Sequence, residues 1–592
     1  MVAVQHPDVR IFAYLDDIYV VGKSAPALDA TKMLTLSLAE IGLVINKAKS
    51  KVLNLHAVAD PSVGALSADD HSEVAQSLRD SVSSLFVEDN DDDNDSLSVC
   101  SDGLAVVGVP FGSLEFKQTF LAQEVAEWSR QLDCLDQLSS IQYKTLLLRW
   151  CLLSKANFLM RTVSPSVAQD TWQLWDTTIT TYISQTLLGC SDELQEHTSV
   201  QLQLPVKSGG FGFHRHIEHA PAAFLAGFSL GLQSRGDSWD EGVWTSSCSL
   251  FPDIQHAYSC HLLYCGTSDI LPSAFSLPWF AVNKVDQRQL AQKVHVRTEH
   301  RYGQIRTKVD ELRFRSLVDS GGHAGDWLLA IPSLPPLRMA NDEFRFASKL
   351  RLGLQVAVLP DKCLCGHEHH NDQVDLGLGY HSMTCGLRGL TGFNPRHKWL
   401  LHTWAQIFGA AGLHVESEPK EVFPDTQLRP DHKVYNFGAR TLLTDVSVAF
   451  PRFQRRHSDG EYTYIANSGS SRELVKIEKY RMKVAALGVN HLFKPLVVDG
   501  FGRWGQHAVD VMNICASQCV MGQTFSCPRF FKRHHWRLLS VTTMRALCEQ
   551  SADYQRKLRH LSAVAAGIAV DEDAVARAWL AEPPEDDVSD PQ

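Results

Sequence analysis

The sequence predicts an α+β protein of several domains. Its 592 residues exceed what a single hydrophobic core usually holds, and a hydrophobic content of 44% is ample for ordinary cores. Strand-like runs occur at 11–22 and 441–448, whereas apolar residues recur at helical spacing between 121 and 188. We therefore expect three or four domains, some built on small sheets and others on helical bundles.

Charge and cysteine usage restrict the class of protein further. The formal net charge of −11 does not suit a bulk electrostatic DNA binder, but basic residues cluster locally at 451–456 and 529–533. The 14 cysteines are scattered, which favours reduced thiols. The sequence shows neither a signal peptide nor an apolar run of membrane-spanning length. We expect a nuclear or cytoplasmic protein that is not secreted and has no membrane partner.

An acidic turn lies near the start of the sequence. Tyr14, Leu15, Asp16 and Asp17 stand at the tip between two apolar strands. Such a hairpin projects adjacent carboxylates, as two-metal nucleotidyl transfer requires, although a plain Asp-Asp hairpin turn is the alternative. An amphipathic helix is expected from about Ala25 to Ile41.

The middle of the chain is mostly helical by pattern. Residues 67–102 are rich in Ser and Asp and predict a disordered acidic insertion. The run 121–188 predicts a helical bundle whose Trp residues belong to its core. Gly209 and Gly210 permit a tight bend. Residues 217–350 continue as helices and loops in which the sequence shows no chemistry.

A cysteine and histidine cluster follows. Cys363, Cys365, His381 and Cys385 make a complete tetrahedral zinc set, and His381 and Cys385 are spaced to share one helical face. Substitutes are available among the nearby histidines, and coincidental Cys and His residues are the alternative interpretation. These substitutes are His367, His369 and His370.

The stretch 429–480 carries the most complete chemistry. Asp431 and Asp445 flank a predicted hairpin that turns at 437–439, and two carboxylates brought together need a cation such as magnesium between them. Lys476 and Lys479 then share one face of a predicted helix, where a Lys could stabilise a phosphate transition state. The alternative is a surface hairpin whose aspartates cap turns.

The last segments with a recognisable pattern are a strand and a basic helix. Residues 493–502 predict a buried strand that ends in a Gly-rich turn, and residues 529–550 predict a helix with a basic-aromatic cluster. This helix suits a DNA backbone, or equally a solvated face over core aromatics. The tail from Glu582 is acidic and Pro-rich, which predicts disorder. The cluster's basic residues are Arg529, Lys532, Arg533 and Arg537.

The N-terminal motifs resemble the C-terminal palm of a reverse transcriptase. The matching blocks are the YxDD turn at 14–17, the GLxxNxxKS segment at 42–50 and the strand 104–112, with Val107 where Leu is usual. The resemblance implies catalytic Asp16 and Asp17, with Tyr14 and Lys49 as cofactor-binding residues. It also implies a third Asp on an earlier strand. Since fifteen residues precede Asp16, we expect a truncated or degraded copy without polymerase activity of its own.

The C-terminal motifs resemble the PD-(D/E)xK restriction-like nuclease of site-specific non-LTR retrotransposon proteins. The resemblance implies that Asp431 and Asp445 bind Mg²⁺ (or Mn²⁺). Ser447 replaces the usual Lys, which implies that Lys476 or Lys479 takes over its role. It also implies a metal-assisting acid at Glu418, with Glu416 as its rival.

The same resemblance extends to the neighbouring segments. It implies a Zn²⁺ knuckle of the CxC…HxxxC type before the nuclease, followed by the basic-His pair Arg396-His397. The implied domains are a partial reverse transcriptase palm (1–120), a helical thumb (121–215), a helical connector (216–350), the zinc knuckle (351–393), the endonuclease (394–515) and a basic helix with an acidic tail (516–592).

The expected function is therefore that of a retrotransposon-derived reverse transcriptase fragment with a metal-dependent endonuclease. It would nick target DNA for target-primed reverse transcription, with target DNA and element RNA as its partners. Two alternatives remain open: a nucleic-acid-binding remnant that does not cut, and an inert fossil of the element.

Overall fold

The computed structural model describes much of the chain and shows a mixed α+β protein, as the sequence predicted. None of the helices in this described part is both long and apolar enough to cross a membrane. Several predictions fall on residues outside this described part. They are the acidic tail from Glu582, the zinc ligands Cys363 and Cys365, and most of the acidic insertion. The described residues are 5–46, 49–53, 98–100, 102–234, 250–266, 269–306, 311, 323–356, 381–385, 393–424, 426–450, 452–455, 462–465, 468–519 and 527–565.

The N-terminal strands pair into three separate two-stranded sheets. The pairs β1–β2 and β5–β6 are antiparallel hairpins, whereas β3 and β4 pair in parallel. The amide of Val107, in the β5–β6 turn, donates to Tyr19 Oη at 3.3 Å and so connects two of the sheets. The elements are β1 (Arg10–Tyr14), β2 (Asp17–Val21), α1 (Ser24–Glu40), β3 (Lys51–Leu53), β4 (Ser98–Cys100), β5 (Gly103–Val106) and β6 (Val109–Gly112).

Ten further α-helices described between 114 and 352 build the helical part of the molecule. Trp128, Trp172 and Trp175 are buried and pack ring against ring, which confirms that these three belong to the core. The prediction is wrong for Trp150, whose side chain is exposed. The helices are α2 (Leu114–Asp136), α3 (Ile141–Leu147), α4 (Leu153–Thr162), α5 (Pro165–Tyr182), α6 (Glu196–Gln203), α7 (His216–Ser234), α8 (Phe251–Cys265), α9 (Leu277–Val282), α10 (Gln287–Ile305) and α11 (Asn341–Leu352).

The predicted glycine bend lies between α6 and α7. Gly209 has φ +85°, in the left-handed region, and a Cβ on Gly210 would lie 2.1 Å from the carbonyl oxygen of Leu204. A side chain would be strained at position 209 and would clash with the backbone at position 210, whereas glycine fits both positions. The bend therefore serves backbone packing.

The C-terminal part contains a four-stranded sheet. Its strand order is β12-β9-β8-β7; β7, β8 and β9 are antiparallel neighbours, and β12 runs parallel to β9. The crossover between the two parallel strands is α14, as parallel pairing requires. The elements are α12 (His381–Thr384), α13 (Phe393–Ala410), β7 (Val415–Ser417), β8 (His432–Phe437), β9 (Arg440–Ala449), β10 (Arg452–Arg455), β11 (Tyr462–Ile465), α14 (Ser468–Ala486), β12 (His491–Asp499), α15 (Gln506–Gln518) and α16 (Pro528–Ala565).

Alternation along β9 assigns its side chains to two faces. Leu442 and Val446 pack with residues of α13, α15 and α16 in one apolar cluster. Leu443 packs on the other face against Tyr480 of α14 and Phe493 of β12. Since successive strand residues point to opposite faces, Asp445 shares the α14 face with Leu443.

Helix α16 contributes to two cores. Phe531, Trp536 and Leu539 belong to the apolar cluster around the four-stranded sheet. Val541 and Met544, further along the helix, belong to the large cluster of the helical part. Half of the predicted basic helix is therefore core.

Candidate active site

Two aspartates meet at the junction of β8 and β9. The amide of Asp431 donates to the carbonyl of Thr444 at 2.8 Å, which continues the β8–β9 ladder by one residue. The amide of Val446 in turn donates to Oδ2 of Asp431 at 2.6 Å. The carboxylate of Asp431 is thus held by the residue that follows Asp445, and the structure brings the two predicted acids side by side.

Lys476 of α14 reaches the second acid. Its Nζ lies 2.5 Å from Oδ1 of Asp445, and the two side chains are only 13% and 8% exposed. An ion pair with so little solvent is weakly screened. Lys476 is therefore a fixed cation at the carboxylate rather than a mobile surface lysine.

Tyr480 lies one helical turn after Lys476 and completes the surroundings of Asp445. Its hydroxyl lies 2.9 Å from Oδ2 of Asp445 and 2.7 Å from the carbonyl of Arg429, and it can donate to one of them at a time. The ring stacks on Phe493 with centroids 4.3 Å apart. Burial and the charge of Asp445 raise the pKa of Tyr480 well above its ordinary value, so the phenol stays a donor.

Lys479 occupies a different environment from Lys476. Its side chain is exposed, and its Nζ lies 5.7 Å from the ring centroid of Tyr480. Of the two lysines that the sequence left open, Lys476 is the one in contact with Asp445.

His397 of α13 contacts the first acid, a placement that the sequence did not reveal. Its Nε2 lies 3.3 Å from Oδ1 of Asp431. The hydrogen bond to Asp431 raises the pKa of His397; burial opposes this, and the charges of Asp431 and Asp445 add to it. The histidine is 34 positions from Asp431 in sequence, and the one available signal was the Arg396-His397 pair implied by the resemblance.

Glu418 approaches Asp431 through its backbone. Its amide donates to the carbonyl of Asp431 at 2.8 Å, its φ is +49°, and its side chain is exposed. The rival acid, Glu416, accepts a hydrogen bond from Tyr435 Oη at 3.1 Å. The backbone of Glu418 is therefore fixed next to Asp431, whereas a metal-assisting role for its carboxylate stays a prediction.

The donor set suits a hard divalent cation. Asp431 and Asp445 offer four carboxylate oxygens, each within hydrogen-bonding distance of one protein group and each with further lone pairs. Magnesium is commonly held by one or two carboxylates, with water and substrate phosphate completing its shell. Among the described side chains, no group of three or more His, Cys, Asp or Glu is arranged to hold a metal. Two carboxylates are what this site provides.

The residues of the predicted palm lie on the first hairpin and the segment after α1. Asp16 and Asp17 are exposed at the β1–β2 turn, where Leu15 has φ +56°, and Tyr19 Oη donates to Asp17 Oδ2 at 3.2 Å. Tyr14 and Lys49 are exposed as well. The predicted hairpin is confirmed, whereas a polymerase role for these residues stays a prediction.

The predicted zinc ligands are described in part. The amide of Cys385 donates to the carbonyl of His381 at 2.9 Å, so the two residues lie one helical turn apart, and Cys385 is fully buried. Cys363 and Cys365 lie outside the described residues. The zinc site stays a prediction.

The predicted DNA-binding residues of α16 differ in exposure. Arg529 and Arg533 are exposed, whereas Lys532 donates to Asn513 Oδ1 at 3.3 Å. Arg537 is half-buried, and burial lowers its pKa. Two of the four residues are therefore exposed.

A histidine cluster in the helical part was missed by the sequence analysis. The ring of His219 lies 4.9 Å from that of His214 and 4.8 Å from that of His295. His261 is fully buried, and neither of its ring nitrogens has a hydrogen-bond partner among the described residues. Burial lowers the pKa of His214 to about 3 and that of His261 to about 4. Their scattered positions carry no motif.

Comparison with known proteins adds no family to this description. No protein-family model matches the sequence, and a search of curated proteins finds no similar protein.

Proposed function

We propose that the chain is a metal-dependent DNA endonuclease of the kind carried by non-LTR retrotransposon proteins. It would nick target DNA to supply a primer for reverse transcription. The observation that supports this most is the contact of Lys476 with Asp445, beside Asp431 and on one face of a small sheet.

The topology of the C-terminal part supports the same proposal. Its core runs α13, β7, β8, β9, α14, β12, with a three-stranded antiparallel meander and a fourth strand added in parallel through the helical crossover. The resemblance implied a second acid at the end of a strand and a lysine on the following helix. Asp431 directly precedes β8, Asp445 lies on β9 and Lys476 lies on α14, which supports the proposal.

The two aspartates would hold Mg²⁺ or Mn²⁺. When bound, the cation would polarise the scissile phosphate and lower the pKa of a bound water, which are the usual contributions of a metal to phosphodiester hydrolysis. Asp431 is pre-positioned by the Val446 amide and by His397, and Asp445 by Tyr480. Preorganised ligands of this kind cost little reorganisation during the reaction.

Lys476 would act on the substrate. Its ammonium lies at the carboxylate that would hold the cation, so it can present positive charge to the phosphate or to the attacking water. Charge that is fixed in a water-poor site stabilises a developing anion more strongly than charge in bulk water. The hydrogen bond to Asp431 raises the pKa of His397, which favours a positive charge beside this acid.

A plasmid-nicking assay tests the proposal. The purified full-length chain should convert supercoiled plasmid to open circle with Mg²⁺ or Mn²⁺ and not with EDTA. Asp445→Asn, which preserves shape and removes the charge, should abolish nicking. Asp510→Asn is the matched control, because Asp510 lies on α15 and pairs with a different lysine, Lys494, at 3.4 Å.

The outcome separates two functions. Equal nicking by wild type and Asp445→Asn with both metals would contradict the endonuclease. DNA retention without nicking would instead favour the second candidate, a nucleic-acid-binding protein that does not cut, for which the exposed Arg529 and Arg533 are the supporting observation.

A further inference from the structure

Helix α14 carries a row of basic side chains that includes Lys476. Arg472, Lys476, Lys479 and Lys483 are spaced four, three and four residues apart. At about 100° per residue these four positions fall within an arc of about 60°, and they extend over about 16 Å of helix. We refer to these four residues as the basic stripe.

The arc of the basic stripe contains no acid. Glu478 lies about 130° from its centre at the same helical pitch, and it pairs with Arg481 at 3.3 Å. Glu473 is buried and accepts a hydrogen bond from the amide of His507 at 3.2 Å, where it caps the start of α15. Neither of these two helix carboxylates therefore opposes an anion that approaches the stripe, and the acid in contact with it is Asp445 of the candidate active site.

The basic stripe lies along the edge of the candidate active site. Lys476 is the second of its four members and contacts Asp445. Arg472 and Lys479 are exposed on either side of it, and Lys483 is half-buried. An anion lying along the stripe would thus pass directly over the acid pair.

We propose that the basic stripe binds the backbone phosphates of the DNA strand that is cut. This inference rests on the endonuclease proposed above and assigns the surface that aligns its substrate. Each strand of duplex DNA presents one phosphate per about 3.4 Å of axis, so a length of about 16 Å runs beside about five phosphates. Arg472, Lys479 and Lys483 hold phosphates to either side, and Lys476 sits at the one to be hydrolysed.

Contacts of this kind fix register without reading sequence. Phosphate contacts orient a protein on the duplex and carry no base information. The stripe consequently places the strand, and target choice belongs to another surface. Binding through it is electrostatic and therefore depends strongly on salt.

Binding measured without metal tests the inference independently of cleavage. The full-length chain is titrated with a labelled duplex in EDTA at several salt concentrations. The variants are the triple Arg472→Gln/Lys479→Gln/Lys483→Gln, the single Lys483→Gln, and Arg481→Gln as matched control. Arg481 is an exposed cation on the same helix but lies about 170° from the centre of the stripe. Gln is nearly as good a helix former as Lys and Arg, so helicity is preserved.

We expect the substitutions in the basic stripe, and not the control substitution, to weaken DNA binding. The triple variant should bind at least about tenfold more weakly at about 100 mM salt, and each lost contact should reduce the salt slope by about 0.9. Arg481→Gln should match the wild type. Thermal melting checks that all variants fold.

Unchanged affinity and salt slope in the folded triple variant would overturn the inference, and so would equal effects of Lys483→Gln and Arg481→Gln. The stripe would then suit an acidic protein partner instead. Nicking with Mg²⁺ is scored separately. A chain that binds DNA through the stripe but never nicks contradicts the endonuclease and leaves the binding surface standing.

Discussion

Lys476 of α14, the helix that connects the parallel strands β9 and β12, pairs with Asp445 of β9. Nζ and Oδ1 are 2.5 Å apart, and both side chains are largely buried. The contact links α14 to β9, an inner strand of the four-stranded sheet. It places the ammonium group of Lys476 at the carboxylate of Asp445. Both partners can therefore be probed by single substitutions.

Lys476→Gln should lower single-turnover nicking by about 100-fold or more at saturating DNA, because one preorganised electrostatic donor commonly contributes that much. Arg481→Gln, on the far face of the same helix, is the control. Cleavage rates are measured with plasmid or oligonucleotide substrates. A larger loss in Lys479→Gln than in Lys476→Gln would transfer the catalytic role to Lys479.

Tyr480→Phe should lower the free energy of unfolding by about 1–2 kcal/mol, since Asp445 and the carbonyl of Arg429 lose a buried hydroxyl donor. The stacking on Phe493 is preserved by the phenyl ring. Denaturant titration measures the change, and Tyr14→Phe, at an exposed tyrosine, is the comparison. Equal free energies of unfolding for wild type and Tyr480→Phe would mean that the hydrogen bonds of this hydroxyl do not stabilise the fold.

The histidine cluster should make the protein acid-sensitive. Burial lowers the pKa of His214, His219 and His261 in the fold, whereas the unfolded chain protonates near pH 6.5. Below that pH the unfolded state binds more protons, so stability falls as pH drops from about 6.5 toward 4. Each such histidine contributes a slope of about 1.4 kcal/mol per pH unit.

Comparison of His261→Leu with His300→Leu isolates this effect. His300 is exposed, whereas His261 is fully buried. Glu218 borders the cluster, and burial raises its pKa, which acts in the opposite sense; the difference between the two variants cancels it. His261→Leu should flatten the pH dependence of unfolding between pH 6.5 and 4, and an equal slope in both variants would contradict the assignment.

Zinc content tests the predicted knuckle. Cys385→Ser should remove about one zinc per chain, because a thiolate of a tetrahedral set is lost. Cys151→Ser, which alters an exposed cysteine of the helical part, should keep the metal. Elemental analysis of the purified chain decides between them, and undiminished zinc in Cys385→Ser would exclude this ligand.

The sequence predicted the hairpin of Asp431 and Asp445 because alternation and the Phe437–Ala439 turn are local signals. It could not choose between Lys476 and Lys479. Both lie on the same side of α14, and the contact with Asp445 depends on how Glu473 and Tyr480 bury that helix against the sheet. Such rotational fit is a property of tertiary packing.

The contact of His397 with Asp431 and the histidine cluster could not be predicted from the sequence for a related reason. His397 meets Asp431 only because α13 packs along the sheet. His219, His261 and His295 come from three different helices, and their spacing matches no ligand motif. Long-range proximity leaves no trace in a single sequence.

The two-sided role of α16 bears on how the molecule comes apart. Because Phe531 and Trp536 anchor the sheet while Val541 and Met544 anchor the helical part, neither core can dissolve without freeing one half of a continuous helix. Unfolding of one half of α16 would therefore extend along the helix into the other half. Heating should accordingly melt both cores together in one cooperative step.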